Sequence, residues 1–147
     1  MRLRLHCLDM NRTLTVAVVG TGFLARTRLN CWRKVHHAAV EVVAVSRDLE
    51  RARSFAAANG ADRAATVADA LQDPAVALVD LCVPNHAHAA LCEQAAAAGK
   101  HVLCTKPLTA YWGQGLAADA TAEEVAATDR QRMLEAAVGD ATSMVDA

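Results

Sequence analysis

The sequence predicts an α/β fold, a parallel sheet with helices on both sides, and three observations predict it. Short apolar runs rich in β-branched residues, LTVAVV at 14–19, VEVVAV at 40–45 and AVALVDLCV at 75–83, read as strands buried on both faces. Helix-length segments separate these runs, which is the alternation of βαβ units. The first run passes directly into GTGFLA at 20–25, a glycine turn that opens a helix. Together they describe a doubly wound, Rossmann-like sheet, in which right-handed crossovers lay helices over both faces.

Each element has its own signal. The helix opened by the glycine turn runs to about His36 and His37. The second strand stops at Ser46-Arg47-Asp48, where Asp48 is placed to cap a helix carrying Ala52, Phe55 and Ala56 on one face and stopping at Gly60. Thr66 and Asp69 have the spacing of a cap for a short helix through Leu71, which Asp73-Pro74 closes. Pro84 ends the strand at 75–83, and the helix after it carries Leu91, Ala95 and Ala98 on one face before Gly99. HVLCT at 101–105 is a further strand, and it runs into Lys106-Pro107. Thr121 and Glu124 have capping-box spacing and predict a helix start. The apolar period of Met133, Leu134, Ala137, Val138, Ala141, Met144 and Val145 holds almost to the last residue, on a face that still needs a partner.

Length and composition suit one domain: 147 residues, 54% hydrophobic and 21% charged. Fifteen basic and sixteen acidic residues nearly cancel, so charge gives no reason to expect a nucleic acid or an anionic membrane as partner. No apolar run approaches the roughly 20 residues of a membrane span. The basic start MRLRLHCLDMNR lacks the apolar centre of a secretory signal. It reads as an extension over 1–13 before a domain over 14–147, with Met10 as an alternative start and a cytoplasmic address by default. Five cysteines, Cys7, Cys31, Cys82, Cys92 and Cys104, contain no CxxC pair and suggest no disulfide framework. Cys82, His86, His88 and Cys92 lack the paired spacing of a zinc site, and no metal is expected.

The chemistry begins at the glycine turn. In the G-x-G-x-x-A pattern Gly20 permits a tight turn, Gly22 lets the backbone approach a pyrophosphate, and Ala25 keeps the helix close to the sheet. With Thr21, Phe23 and Leu24, these residues form the start of a helix whose free N–H groups and dipole favour an anion. The end of the second strand selects the dinucleotide. NAD domains usually place Asp or Glu there, whereas this chain has Ser46 and Arg47, a hydroxyl and a guanidinium that suit a 2′-phosphate. NADP is therefore preferred over NAD, and a solvated Arg47 is the plainer alternative. Lys106 stands at the carboxyl end of a buried strand, where open α/β sheets bind ligands, or else it marks where that strand reaches water.

These segments taken jointly, GTGFLA, VDLCVPNHAH and AGKHVLCTKPL, resemble the cofactor domain of the glucose–fructose oxidoreductase / inositol dehydrogenase / MocA family. Pro84, Asn85 and His88 match its PN-x-x-H segment, and residues 99–107 match GKHV-x-x-EKP. The resemblance implies hydride transfer between a nicotinamide and a hydroxyl carbon of a sugar, polyol or related substrate. It gives Lys106 a place beside substrate and nicotinamide, able to hold the reacting oxygen and help move its proton. Asn85 either lines the cofactor groove or caps a helix, and His88 is either near the cofactor or a structural hydrogen-bonding group. Tyr111 and Trp112, in AYWGQG, either pack over the active side or anchor a loop.

Two departures stand out. Thr105 replaces the family's glutamate before the lysine and supplies one hydroxyl for the cofactor ribose in place of a charged acceptor. The family also continues into one more strand of the sheet and a substrate domain, neither of which is read in these 147 residues. The expectation is the cofactor half of an oxidoreductase, incomplete at its C-terminal strand, with little turnover alone and with an oligomer or complementing chain as partner. A non-catalytic dinucleotide-binding module and an inactive fragment are the rival readings.

Overall fold

The computed structural model describes residues 13–147. The N-terminal extension through residue 12, with Met10 and Cys7, lies outside the described residues. Five strands form a single sheet: β1 (Leu14–Val19), β2 (Val40–Ser46), β3 (Arg63–Thr66), β4 (Val76–Leu81) and β5 (His101–Cys104). All neighbours are parallel, in the order β3-β2-β1-β4-β5. The switch in direction of winding falls between β1 and β4, and open α/β sheets bind ligands outside the carboxyl ends of the strands at such a point.

The sheet is buried on both faces because its central strands are apolar at nearly every position, Thr15 and Asp80 being the buried polar exceptions. Val16, Ala17 and Val18 of β1 are each 0% exposed. Alternate residues point opposite ways. Val16 and Val18 share a core with Ala25 and Leu29 of α1 (Phe23–Trp32) and with Phe55 of α2 (Leu49–Asn59). Ala17 and Val19 face Ala70 of α3 (Val67–Gln72), Cys92 and Ala95 of α4 (His88–Ala97), and Met144 of α6 (Arg130–Asp146). Full burial of one such valine stabilises by about 1.5–3 kcal/mol, so these two layers dominate the fold.

Most helix ends form where the capping residues put them. Asp48 accepts the Arg51 N–H to start α2, and Gly60 ends it in the left-handed region at φ 72°. Thr66 caps α3, and Thr121 with Glu124 forms a reciprocal capping box for α5 (Ala122–Ala126). The last helix is not continuous. After α5 the chain turns, and Asp129 accepts the N–H groups of Gln131 and Arg132 to start α6 anew. An aspartate that satisfies free amides competes with helix continuation and wins here. Of the apolar period on α6, Met144 enters the core, whereas Leu134, Val138 and Val145 are 58%, 52% and 78% exposed.

Three further boundaries differ from the sequence reading. α1 stops at Trp32, and Lys34 and Val35 then donate to Cys31 and Trp32 in the tighter i to i+3 pattern. β3 was not foreseen, since RAAT is too short and too weakly patterned to signal a strand. It exists through edge pairing with β2, Val43 to Arg63 through Ser46 to Thr66. β4 ends at Leu81, although the Cys82 N–H still donates to Val19 O at 2.9 Å.

One buried charge stands in the sheet. Asp80 of β4 is 1% exposed. Arg28 donates to it through Nε at 2.9 Å and Nη2 at 3.2 Å, and Trp32 Nε1 donates at 2.7 Å. The carboxylate raises the Arg28 guanidinium further above its ordinary value, chiefly by that hydrogen bond and against desolvation. Burial first and Asp80 second push the Cys82 thiol up to about 12, so it stays protonated. Asp80→Ala would strand the donors of Arg28 and Trp32. Because the Arg28 side chain keeps 33% exposure, the expected loss is about 2 kcal/mol, below that of a fully buried pair. Urea unfolding measures it, and an unchanged midpoint would refute a stabilising role for the cluster.

Candidate functional site

The glycine turn is shaped by the strands on either side of it. Gly20 has φ +122°, and a Cβ built there would lie 2.4 Å from the Cys82 carbonyl oxygen. Its N–H donates to Val45 O at 2.9 Å. The turn is thus held between β2 and β4 at a residue that only glycine fills without strain. Gly22 is the N-cap of α1, and a Cβ there would meet nothing within 4 Å.

No side chain caps α1 and no acidic residue stands in its first turn. By contrast Asp48, Thr66, Thr121 and Asp129 cap α2, α3, α5 and α6, while α4, also without a side-chain cap, continues directly from a 3-10 turn at Asn85–Ala87. The first amides of α1 therefore remain for an external acceptor, with open space before them at Gly22. This is the donor set and clearance that a pyrophosphate requires. Ala25 is 0% exposed against the sheet, Leu24 joins the same core, and Phe23 is 76% exposed with the Arg26 guanidinium 6.0 Å from its ring centroid.

At the end of β2, Ser46 pairs with Thr66, and its hydroxyl accepts from the Asp48 N–H at 3.4 Å. Arg47 is exposed. Sequence reasoning missed Arg51. Its Nε donates to Thr21 Oγ1 at 2.9 Å, so the first turn of α2 reaches across to the glycine turn. The only signal in the sequence was a basic residue three positions after the cap Asp48, and its target becomes visible only when β1 and β2 lie side by side.

On the other half of the sheet, β4 leads through Pro84 into a single 3-10 turn at Asn85–Ala87. Pro84 is exposed and Asn85 half-buried. His88 is 1% exposed at the start of α4. Its Nδ1 lies 2.9 Å from Leu108 O and its Nε2 3.0 Å from Val83 O. These contacts are those of the structural role open to His88, and they do not bear on its place relative to a cofactor. Both neighbours are carbonyl oxygens, so a neutral ring donates to one of them and lies against the other, between the end of β4 and the segment after β5. Thr105 is half-buried and Lys106 exposed just beyond Cys104, and the Lys106–Pro107 peptide is cis.

The parallel order sends all these groups out of one edge of the sheet. Ser46 and Arg47 follow β2, the glycine turn follows β1, Pro84 and Asn85 follow β4, and Thr105 and Lys106 follow β5. His101 opens β5 at the opposite edge and stands outside this constellation. Among the described residues Cys31, Cys82, Cys92 and Cys104 are free cysteines, with Cys82 buried and Cys104 half-buried. Among the described residues no cluster of three His, Cys, Asp or Glu side chains is arranged to hold a metal, and no helix is long and apolar enough to cross a membrane.

Comparison with known proteins agrees with this geometry. The family model described as an oxidoreductase family with an NAD-binding Rossmann fold matches residues 14–132. Inositol 2-dehydrogenase 1 of Saccharopolyspora erythraea is 39% identical over 101 residues, 67% of this chain and 30% of that protein. A 3-ketoreductase from Actinomadura kijaniata, solved with NADP and TDP-benzene, superposes with TM-score 0.59 at 30% identity, over 67% of this chain and 30% of that one. Levoglucosan dehydrogenase, solved with NADH and levoglucosan, gives TM-score 0.57 at 28% identity, over 67% and 29%. The chain spans about a third or less of the length of the curated relatives it matches. The uncapped helix behind a glycine turn, the five-stranded parallel sheet and the matched model agree, and the chain belongs to the glucose–fructose oxidoreductase / inositol dehydrogenase / MocA oxidoreductase family as its NAD(P)-binding Rossmann domain.

Proposed function

We propose that this chain is the cofactor-binding part of an oxidoreductase that moves a hydride between NADP(H) and a hydroxyl carbon of a sugar, polyol or related substrate. The observation that carries the reading is the uncapped start of α1 behind Gly20 and Gly22, on the sheet edge from which Lys106 also emerges. Amides of residues 22–24 hold the pyrophosphate, and Thr21 borders it. Ser46, Arg47 and Arg51 surround the adenosine ribose. The charge of the two arginines and the hydroxyl at Ser46 favour a 2′-phosphate over a bare diol. Pro84, Asn85 and Thr105 line the nicotinamide half, with His88 fixing the wall behind them.

The nicotinamide, when bound, supplies or takes up the hydride. Lys106 does the remaining chemistry available to this chain. Its ammonium would hold the reacting oxygen of the substrate, stabilise negative charge there and give up a proton on reduction, and its neutral amine would take that proton back on oxidation. Thr105 contributes a neutral hydroxyl where a carboxylate would bind the ribose more strongly. The exposed free thiol of Cys31 fits a reducing compartment such as the cytoplasm.

Two measurements test the reading. In calorimetry NADPH is expected to bind at least about tenfold more tightly than NADH, and Arg51→Glu or Arg47→Glu to reverse the order. Equal affinity for both would remove the NADP preference, and no binding of either would remove the whole reading. Gly20→Ala, which forces a methyl group against the Cys82 carbonyl, is expected to abolish binding and lower the unfolding midpoint. Normal affinity in that variant would show that the turn relaxes freely.

A further inference from the structure

Residues 109–116 lie beyond the motif that ends at Lys106-Pro107, and they are firmly held. Thr109 Oγ1 donates to Ala137 O at 2.8 Å, and Arg132 Nη2 to Gly115 O at 3.0 Å. Gln114 Nε2 donates to Asp140 Oδ2 at 2.9 Å and to Ala110 O at 3.0 Å, while its Oε1 accepts the Trp112 N–H at 2.8 Å. Tyr111 is the anchor: its hydroxyl lies 3.1 Å from Thr128 Oγ1. Gly113 and Gly115, at φ +105° and +79°, give the bends this path needs. So much fastening leaves one large side chain outside. Trp112 is 48% exposed, with its ring centroid 5.9 Å from that of His86 at an interplanar angle of 61°.

The place of this pair follows from the sheet. β4 and β5 end side by side, with Leu81 opposite Cys104. His86 lies in the turn that follows β4, and Lys106 and Trp112 lie in the segment that follows β5. The His88 ring joins the two segments by its contacts with Val83 O and Leu108 O. Trp112 and His86 therefore flank the edge that carries Lys106, on the half of the sheet remote from Ser46 and Arg51.

We infer that Trp112 and His86 form the part of the substrate site that packs against a polyhydroxylated ring. This deepens the proposed function and rests on it. An exposed indole on a hydrogen-bonded loop offers an apolar face to ring C–H groups. An exposed imidazole set across it offers one donor and one acceptor, the combination that vicinal hydroxyls use. A small number of polar groups beside an aromatic wall is the usual makeup of a site that orients a small ligand.

The test uses the full chain saturated with NADPH and two probes, myo-inositol and methyl β-glucoside, observed by saturation-transfer NMR. Transfer is expected at the ring C–H protons of at least one probe. Trp112→Ala is expected to weaken that binding about tenfold, Trp112→Phe to retain most of it, and neither to change the affinity for NADPH. Absence of transfer to both probes, or transfer unaltered by Trp112→Ala, overturns the inference. A loss of NADPH affinity in Trp112→Ala also overturns it, because the indole would then face the nicotinamide. Should the unmutated chain bind no NADPH, the proposed function fails first and this inference falls with it, a result read before any sugar is added.

Discussion

The close passage of Gly20 between its neighbouring strands is the constraint on which the rest depends. Its amide is bonded to Val45 of β2, and its missing side chain leaves room for the carbonyl of Cys82 beyond β4. Because β1 is seated this tightly, α1 must begin directly over the carboxyl edge of the sheet. Its amides then stand at that edge without any capping side chain. A larger residue at position 20 would part β1 from β4 and move the helix start with it. Fold and site are thus set by one close contact.

A second constraint works from below. The carboxylate of Asp80 takes up donors from Arg28 and Trp32 of α1, so the same helix that offers its N-terminus to the ligand is pinned to β4 along its body. The ion pair is only partly screened from water, and Arg28 stays charged. Hydrophobic burial brings α1 to the sheet, and the polar contacts fix its rotation.

Much of this was legible in the sequence, for reasons that differ by element. LTVAVV announced a strand because five of its six positions are apolar and the run is rich in β-branched residues, and Asp48, Gly60, Thr66 and Thr121 marked helix ends through local chemistry. β3 escaped notice because its pairing with β2 is a tertiary event that RAAT does not encode. The break before α6 escaped because Asp129 is one more polar residue in a polar stretch until its amide contacts are seen. In the site, the glycine turn and the lysine after β5 were visible as motifs. The seat of the His88 ring between two carbonyls, the reach of Arg51 to Thr21 and the separation of Tyr111 from Trp112 all depend on contacts between residues 5 to 30 positions apart. Local pattern carries no information about these.

The bond between Arg51 and Thr21 has a consequence for how a ligand is received. A long flexible side chain ordinarily gives up much of its rotamer freedom when it clasps an anion, and affinity is diminished by that amount. Here the guanidinium already leans across to the glycine turn, tethered through one nitrogen while its terminal amino groups are left to turn toward an incoming charge. Ordering has taken place during folding, so under the proposed reading an anion arriving there would meet a cut lock rather than a closing hand.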